Sequence, residues 1–116
     1  MYTDFKNSKV WIDAMCLAEK VCLLDRVEFI DSQLKRAAIS VPANIAEGIG
    51  KGGNAITYSY RIAQGSCAEV ETLIILMQKL ELIELEESKE ILQLVNMVSE
   101  NLYKTIRQTK MLNTKK

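Results

Sequence analysis

The sequence predicts an all-α fold: an antiparallel, up-down-up-down four-helix bundle forming one domain over residues 1–116. Three observations predict it. Apolar residues recur at spacings of three and four along four segments, and no segment reads as a strand. The connections between the segments are short, which makes sequential helices antiparallel neighbours. The single proline, Pro42, falls inside an apolar stripe that keeps its phase on both sides.

The first helix is expected over 8–24, with Trp11, Ala14, Ala18 and Val21 as its inward stripe and Ser8 as its N-cap. The second, over 31–50, carries Leu34, Ala38, Val41, Ile45 and Gly48 at alternating spacings of four and three. A proline in a helix interior removes one backbone bond and crowds the preceding turn, at about 3 kcal/mol. If Pro42 began a fresh helix, the stripe would reset there. Ala38, Val41 and Ile45 stay in step, so one helix kinked at Pro42 is expected. An N1 proline of a new helix is the alternative. The kink leaves the Ala38 carbonyl without its usual donor, and Ser40 and Asn44 are placed to supply polar groups there.

Next comes "GIGKGG", residues 48–53. Gly48, Gly50 and Gly53 match the G-x-G-x-x-G pattern, but a dinucleotide site needs a strand before it, and here a helix precedes it. The glycines read as a turn whose end takes the left-handed conformation, with Asn54 capping the third helix. That helix, over 54–81, carries Ile56, Tyr60, Ala63, Cys67, Val70, Ile74 and Met77. Folding back around residues 51 and 52 sets Ala37 and Ser40 opposite Ser66 and Ala63, with Gly65 beside them, small residues that permit close packing. The fourth helix, over 86–111, carries Ile91, Val95, Val98, Leu102 and Ile106. Such spacing specifies helices packed at shallow angles and says nothing of function.

Composition narrows the function classes. Apolar residues make up 48% and charged residues 26%, and 15 basic groups balance 15 acidic ones, so a strongly basic nucleic-acid binder is not the default reading. There is no histidine, which removes the commonest general base and metal ligand. Cys16, Cys22 and Cys67 lack paired spacings and read as small buried hydrophobes. The N-terminal stretch "MYTDFKNSKVW" does not read as a secretory signal, and no apolar run is long enough to cross a bilayer. A cytoplasmic protein without membrane contact, cofactor, metal or catalytic residues is expected.

"QLKRAAISVPANIAEG" (33–48), followed by "YRIAQGSCAEVETLIILMQKL" (60–80), resembles the bacterial four-helix-bundle proteins of the 23S rRNA intervening-sequence family. Val10 and Trp11 resemble that family's first helix. The likeness spans nearly the whole chain and singles out Arg36, Pro42, Asn44, Glu47, Gly48, Gly65 and Ser66 as motif positions with structural roles. It implies a small all-helical protein without enzymatic activity that assembles with itself, five copies being the number implied. The family in turn resembles the accessory protein of diversity-generating retroelements, which binds nucleic acid and a reverse transcriptase. If the chain came from such an element, a reverse transcriptase would be a partner. Those accessory proteins are strongly basic, whereas this chain is neutral.

The charges are nonetheless segregated. In an antiparallel bundle one end gathers Lys6, Lys9, Lys51, Arg107, Lys110, Lys115 and Lys116. The other gathers Asp25, Glu28, Asp31, Glu81, Glu84, Glu86, Glu87 and Glu90. The helix dipole alone favours this order along the fourth helix. The functional reading is a basic surface for RNA or DNA phosphate, with Tyr58 or Tyr60 able to stack on bases; Tyr60 falls in the core stripe. Glu47, a carboxylate with no second acid or histidine beside it, reads as an anchor pairing with Lys51 one turn on.

The run "LIILM", residues 73–77, sweeps through more than one turn, so a single inward stripe cannot bury it all. Leu73, Ile75, Leu76 and Leu80 are the expected subunit interface; a wide stripe buried between neighbouring helices of one chain is the alternative. The expectation is thus a non-enzymatic, homo-oligomeric bundle with weak nucleic-acid association through its basic end. A protein-interaction module with no nucleic-acid role is the rival.

Overall fold

The computed structural model describes residues 4–24 and 29–114, with side chains described as far as Thr109. Among these residues the chain forms a 3-10 turn (Phe5–Asn7), four α-helices, α1 (Lys9–Cys22), α2 (Asp31–Lys51), α3 (Asn54–Lys79) and α4 (Leu85–Thr114), and no strand. The molecule is a rod of 51 × 23 × 21 Å. Each helix packs on the next and α4 closes back on α1, so α1 and α3 stand at opposite corners.

Cross-helix contacts give the directions. Gln33 and Ser40 of α2 meet Glu69 and Ser66 of α3, at 3.3 and 2.8 Å. Position rises on one helix as it falls on the other, which is antiparallel packing. Lys20, near the end of α1, reaches Glu90, near the start of α4, at 3.3 Å. Gln78 of α3 donates to Ser88 of α4 at 2.7 Å.

The core is a single cluster of side chains from all four helices. The stripes expected on α2 and α4 are buried throughout, and that of α3 from Tyr60 to Met77. Each fully buried aliphatic side chain contributes roughly 1.5–3 kcal/mol relative to an exposed one. α1 departs from expectation. Its buried residues are Val10, Ala14, Leu17, Ala18 and Val21, while Trp11 is half-buried. The Trp11 indole instead packs edge-on against Phe5, ring centroids 5.3 Å apart. That contact ties the 3-10 turn to the bundle. The cysteines divide as well: Cys67 is buried, but Cys16 and Cys22 are exposed, contrary to the expectation of three buried thiols. Both lie on the side of α1 that faces away from the core.

Pro42 is buried inside one continuous α2, as its unbroken stripe requires. The nearby polar groups do not serve the Ala38 carbonyl. Asn44 Nδ2 donates to the Ser40 carbonyl at 2.8 Å and to Ser40 Oγ at 3.0 Å, and Ser40 Oγ shares a 2.8 Å bond with Ser66 Oγ of α3. The side chains beside the proline thus tie α2 to α3 and leave Ala38 alone.

The turn between α2 and α3 needs its glycines. Gly52 and Gly53 have φ of 71° and 56°, a region that costs an L side chain roughly 1–2 kcal/mol. The Gly52 N–H closes α2 on the Gly48 carbonyl at 2.9 Å. Gly53 occupies the cap position of α3; Asn54 is the first helical residue and does not cap it. Ser8 likewise precedes α1 without a side-chain capping bond, and Asp4 caps the 3-10 turn instead. α3 ends in a Schellman motif, with the Leu82 N–H on the Met77 carbonyl and the Glu81 N–H on the Gln78 carbonyl. Its left-handed residue is Glu81, at φ 57°, where glycine would be usual. A stop signal was therefore missing from the sequence, and α3 ends at Lys79 where residue 81 was expected.

Candidate nucleic-acid interface

The 3-10 turn and the start of α1 sit against the α2–α3 turn. Asp4, Asn7, Ser8, Ile49, Lys51 and Ile56 are among the residues that line a shallow groove between them. Because α4 runs antiparallel to α1, its basic second half reaches this same end. Four of the seven expected cations can be placed here: Lys6, Lys9, Lys51 and Arg107, all exposed. The Lys110 side chain, Lys115 and Lys116 lie outside the described residues.

The four cations are not equivalent. Lys9 Nζ pairs with Asp13 at 2.8 Å and Lys51 Nζ with Glu47 at 2.9 Å, each within its own helix. The hydrogen bond that Lys51 donates to the Glu47 carboxylate raises the Lys51 pKa above its ordinary value. This pair is the one expected from the one-turn spacing. Among the described residues, neither Lys6 nor Arg107 has an ion-pair partner, and Lys104 is held only loosely by Glu100 at 3.7 Å. Tyr58, 70% exposed, stands on the first turns of α3 close to Lys51. Tyr60 is buried in the core, and burial raises its hydroxyl pKa. Of the two candidate stacking residues, only Tyr58 presents a ring to solvent.

The far end carries the opposite sign. Glu81, Glu84 and Glu87 line a groove there with Leu24, Met77 and Leu82. Asp31 is paired with Lys35 and Glu90 with Lys20. Asp25 and Glu28, expected at this end, lie outside the described residues.

The other motif positions hold the bundle together to different degrees. Gly48 is buried: a Cβ there would sit 3.0 Å from Ser59 Cβ and 3.3 Å from Ile56 Cα. Asn44 and Ser66 form the polar tie described above. Arg36 and Glu47 are exposed. Gly65 is exposed and has nothing within 4 Å of a Cβ built on it, so it takes no part in the close approach of α2 and α3 expected of it.

Of the four expected interface residues, Leu73 is buried in the chain's own core, so it is no outer residue. Its side of α3 faces α2. Ile75, Leu76 and Leu80 are partly exposed, Ile75 at 37%. A second exposed apolar face escaped the sequence reading. Ile12, Met15 and Leu23, at 45, 44 and 78% exposure, share the outer side of α1 with Cys16 and Cys22. Met15 and Cys16 follow Ile12 by three and four residues, and Cys22 and Leu23 follow those two by seven, a helical spacing that was there to be read beside the inward stripe.

Among the described residues, no group of three or more acidic or cysteine side chains could hold a metal ion. Burial pushes the Cys67 thiol up to about 12, with Glu71 adding to the shift, so this thiol is protonated and inert. No helix among the described residues is long and apolar enough to cross a membrane. The arrangement can set positive charge and one aromatic ring at one end of a rod, and apolar surface on its flanks.

A comparison with curated proteins finds no match. The family model described as "23S rRNA-intervening sequence protein", a family not known for enzymatic activity, matches residues 6–104. With that match covering most of the chain, and with four α-helices in the structure, the chain belongs to the 23S rRNA-intervening sequence protein family.

Proposed function

We propose that the chain is a non-enzymatic, self-associating helical module that contacts RNA or DNA through the basic end of its bundle. The observation that carries this reading is that Lys6, Lys9, Lys51 and Arg107 share one end of the 51 Å rod, while Glu81, Glu84 and Glu87 line a groove at the other. Lys6 and Arg107 at one end have no acidic partner among the described residues, and Tyr58 lies near Lys51 at the same end. Cations without a paired acid leave positive charge that phosphate can find, and each further copy in an assembly adds to it. The family's name, with its reference to 23S rRNA, agrees with an RNA partner. Five copies is the number the resemblance implies.

The experiment is a mobility shift with structured RNA and with duplex DNA at stepped salt. Binding is expected to be weak and to fall steeply with salt, with a log–log slope of about −0.9 per phosphate contact on duplex DNA. The double variant Lys6→Glu, Arg107→Glu should abolish it while leaving the helical circular dichroism unchanged. Equal binding by the variant and the parent at low salt would contradict the reading. It would favour the rival, a pure protein-interaction module, to which the exposed apolar faces of α1 and α3 lend support.

A further inference from the structure

We infer that the nucleic acid taken up at the basic end is single-stranded, and that two exposed tyrosines, Tyr58 of α3 and Tyr103 of α4, receive its unpaired bases between basic side chains. This rests on the proposed contact with RNA or DNA and states which form of the polymer the surface fits.

Tyr58 and Tyr103 are 70 and 56% exposed. Among the described residues neither ring is paired with another aromatic ring. Each has an arginine one turn away on its own helix: Arg61 follows Tyr58 by three residues, and Arg107 follows Tyr103 by four. Both arginines are exposed, and neither has an ion-pair partner among the described residues.

The packing of α3 on α4 brings the two pairs together. The bond from Gln78 to Ser88 sets the register of the antiparallel helices. Counted back along α3 and forward along α4, it puts Tyr58 at about the level of Arg107, and Arg61 within about two residues of Tyr103. At about 100° per residue, Tyr103 and Arg107 are turned no more than about 100° from Ser88, and Arg61 about 100° from Gln78. Being exposed, they border the α3–α4 seam on its solvent side. Tyr58 is turned further, toward Lys51 at the end of α2. Cation and ring thus alternate across three helices, in the order Lys51, Tyr58, Arg61, Tyr103, Arg107.

The acids leave this surface open. α3 carries none from Asn54 to Ala68, and α4 none from Asn101 to Thr114. Of those at its edges, Glu47 holds Lys51 at 2.9 Å and Glu100 lies 3.7 Å from Lys104. Glu69, exposed and met by Gln33 at 3.3 Å, stands about two turns from Arg61. The apolar residues Ile75, Leu76 and Leu80 stand about four turns or more from Arg61, so the proposed self-association uses the other half of α3.

Positive charge alone draws duplex and single strand alike. The rings separate them. In a duplex the faces of the bases are covered by their neighbours, whereas unpaired bases splay out and stack on an aromatic side chain. The two tyrosines lie on helices about 8–10 Å apart and differ in level by about 7 Å. That is too far for one base to touch both, so they take two bases of one strand, with the cations between them on its phosphates.

The test is fluorescence anisotropy of labelled oligo(U), oligo(dT) and a DNA duplex of the same length, titrated with the full chain at stepped salt. Both single strands are expected to bind more tightly than the duplex. Tyr58→Ala and Tyr103→Ala are each expected to weaken single-strand binding about fivefold to a hundredfold. They should leave the duplex affinity and the salt slope unchanged, because every charge is kept. Tyr58→Phe and Tyr103→Phe keep the rings and should bind as the parent does. Light scattering should give every variant the parent's mass. Should an alanine variant lose its helical circular dichroism, Tyr58→Leu and Tyr103→Leu carry the same test. Alanine variants that bind single strands like the parent, or a duplex bound more tightly than either strand, overturn the inference while the nucleic-acid reading stands. Uptake of only one of the two single strands overturns it as well, since the flat face of a base is common to both. So does an alanine variant whose mass falls together with its binding, because its ring would then join copies of the chain. No binding of strand or duplex at low salt overturns both.

Discussion

The inner and outer faces of α3 use similar residues to opposite ends. Inward, Ser59 and Ser66 lie against α2, where Gly48 lets the backbones approach until a single added methyl would meet Ser59 at 3.0 Å. Outward, Gly65 has no neighbour within 4 Å, and Ile75 is 37% exposed directly beside Ile74, which is fully buried. The inner face spends its small residues on contact within the chain. The outer face keeps apolar surface that the chain itself cannot use. Residue type therefore does not reveal the role of either glycine or either isoleucine; position around the helix does.

The adjacent isoleucines give the largest expected contrast. Ile74→Ala should cost about 2–5 kcal/mol, the transfer of the lost groups plus the cavity left in a core with contributions from all four helices. Ile75→Ala should change stability by less than about 0.5 kcal/mol once assembly is removed. Urea unfolding on an Ile75→Glu background separates the first effect from subunit exchange, and dilution of the Ile75→Ala protein isolates the second. A comparable loss at both positions would mean that the outer face is as closely packed as the core.

The glycines give a smaller contrast with a change of sign. Replacing an interior helical glycine by alanine ordinarily gains about 0.5–1 kcal/mol. At Gly65 the space is open, so Gly65→Ala should gain about that much. At Gly48 the new methyl meets the Ser59 Cβ and the α3 backbone, neither of which can rotate away, and overpacking costs about 1–3 kcal/mol. Gly48→Ala should therefore lose about 1 kcal/mol net. Urea midpoints that move in the same direction for both variants would remove the distinction between the two faces.

The sequence carried much of this fold. The starts and ends of α2 and α3 fall within two residues of the expected ones, because spacings of three and four in a long segment admit only one inward face. α1 was harder to read. With Val10, Trp11, Ile12, Ala14, Met15, Cys16 and Leu17 nearly filling two turns, several stripes fit, and the one chosen included Trp11 and missed Leu17. What decides among them is which side meets α2 and α4, a tertiary fact. That same crowding hid the outer apolar face of α1. Leu73 was misplaced for a related reason: α3 is gripped by neighbours on two sides, so its buried arc is wider than one stripe. The basic end was legible because antiparallel order alone brings Lys6, Lys51 and Arg107 together. Which cations are already paired depends on rotamers; one-turn spacing offers both Glu47–Lys51 and Lys9–Asp13, and only the first was read from it.

The proposed self-association joins copies of the chain through the apolar flanks left outside the bundle. Light scattering after size exclusion, run on the parent and on Ile75→Glu across a dilution series at micromolar protein, is the decisive test. The parent is expected to show several times 13.1 kDa and Ile75→Glu a lower mass. A parent that remains a 13.1 kDa monomer at every concentration would contradict it.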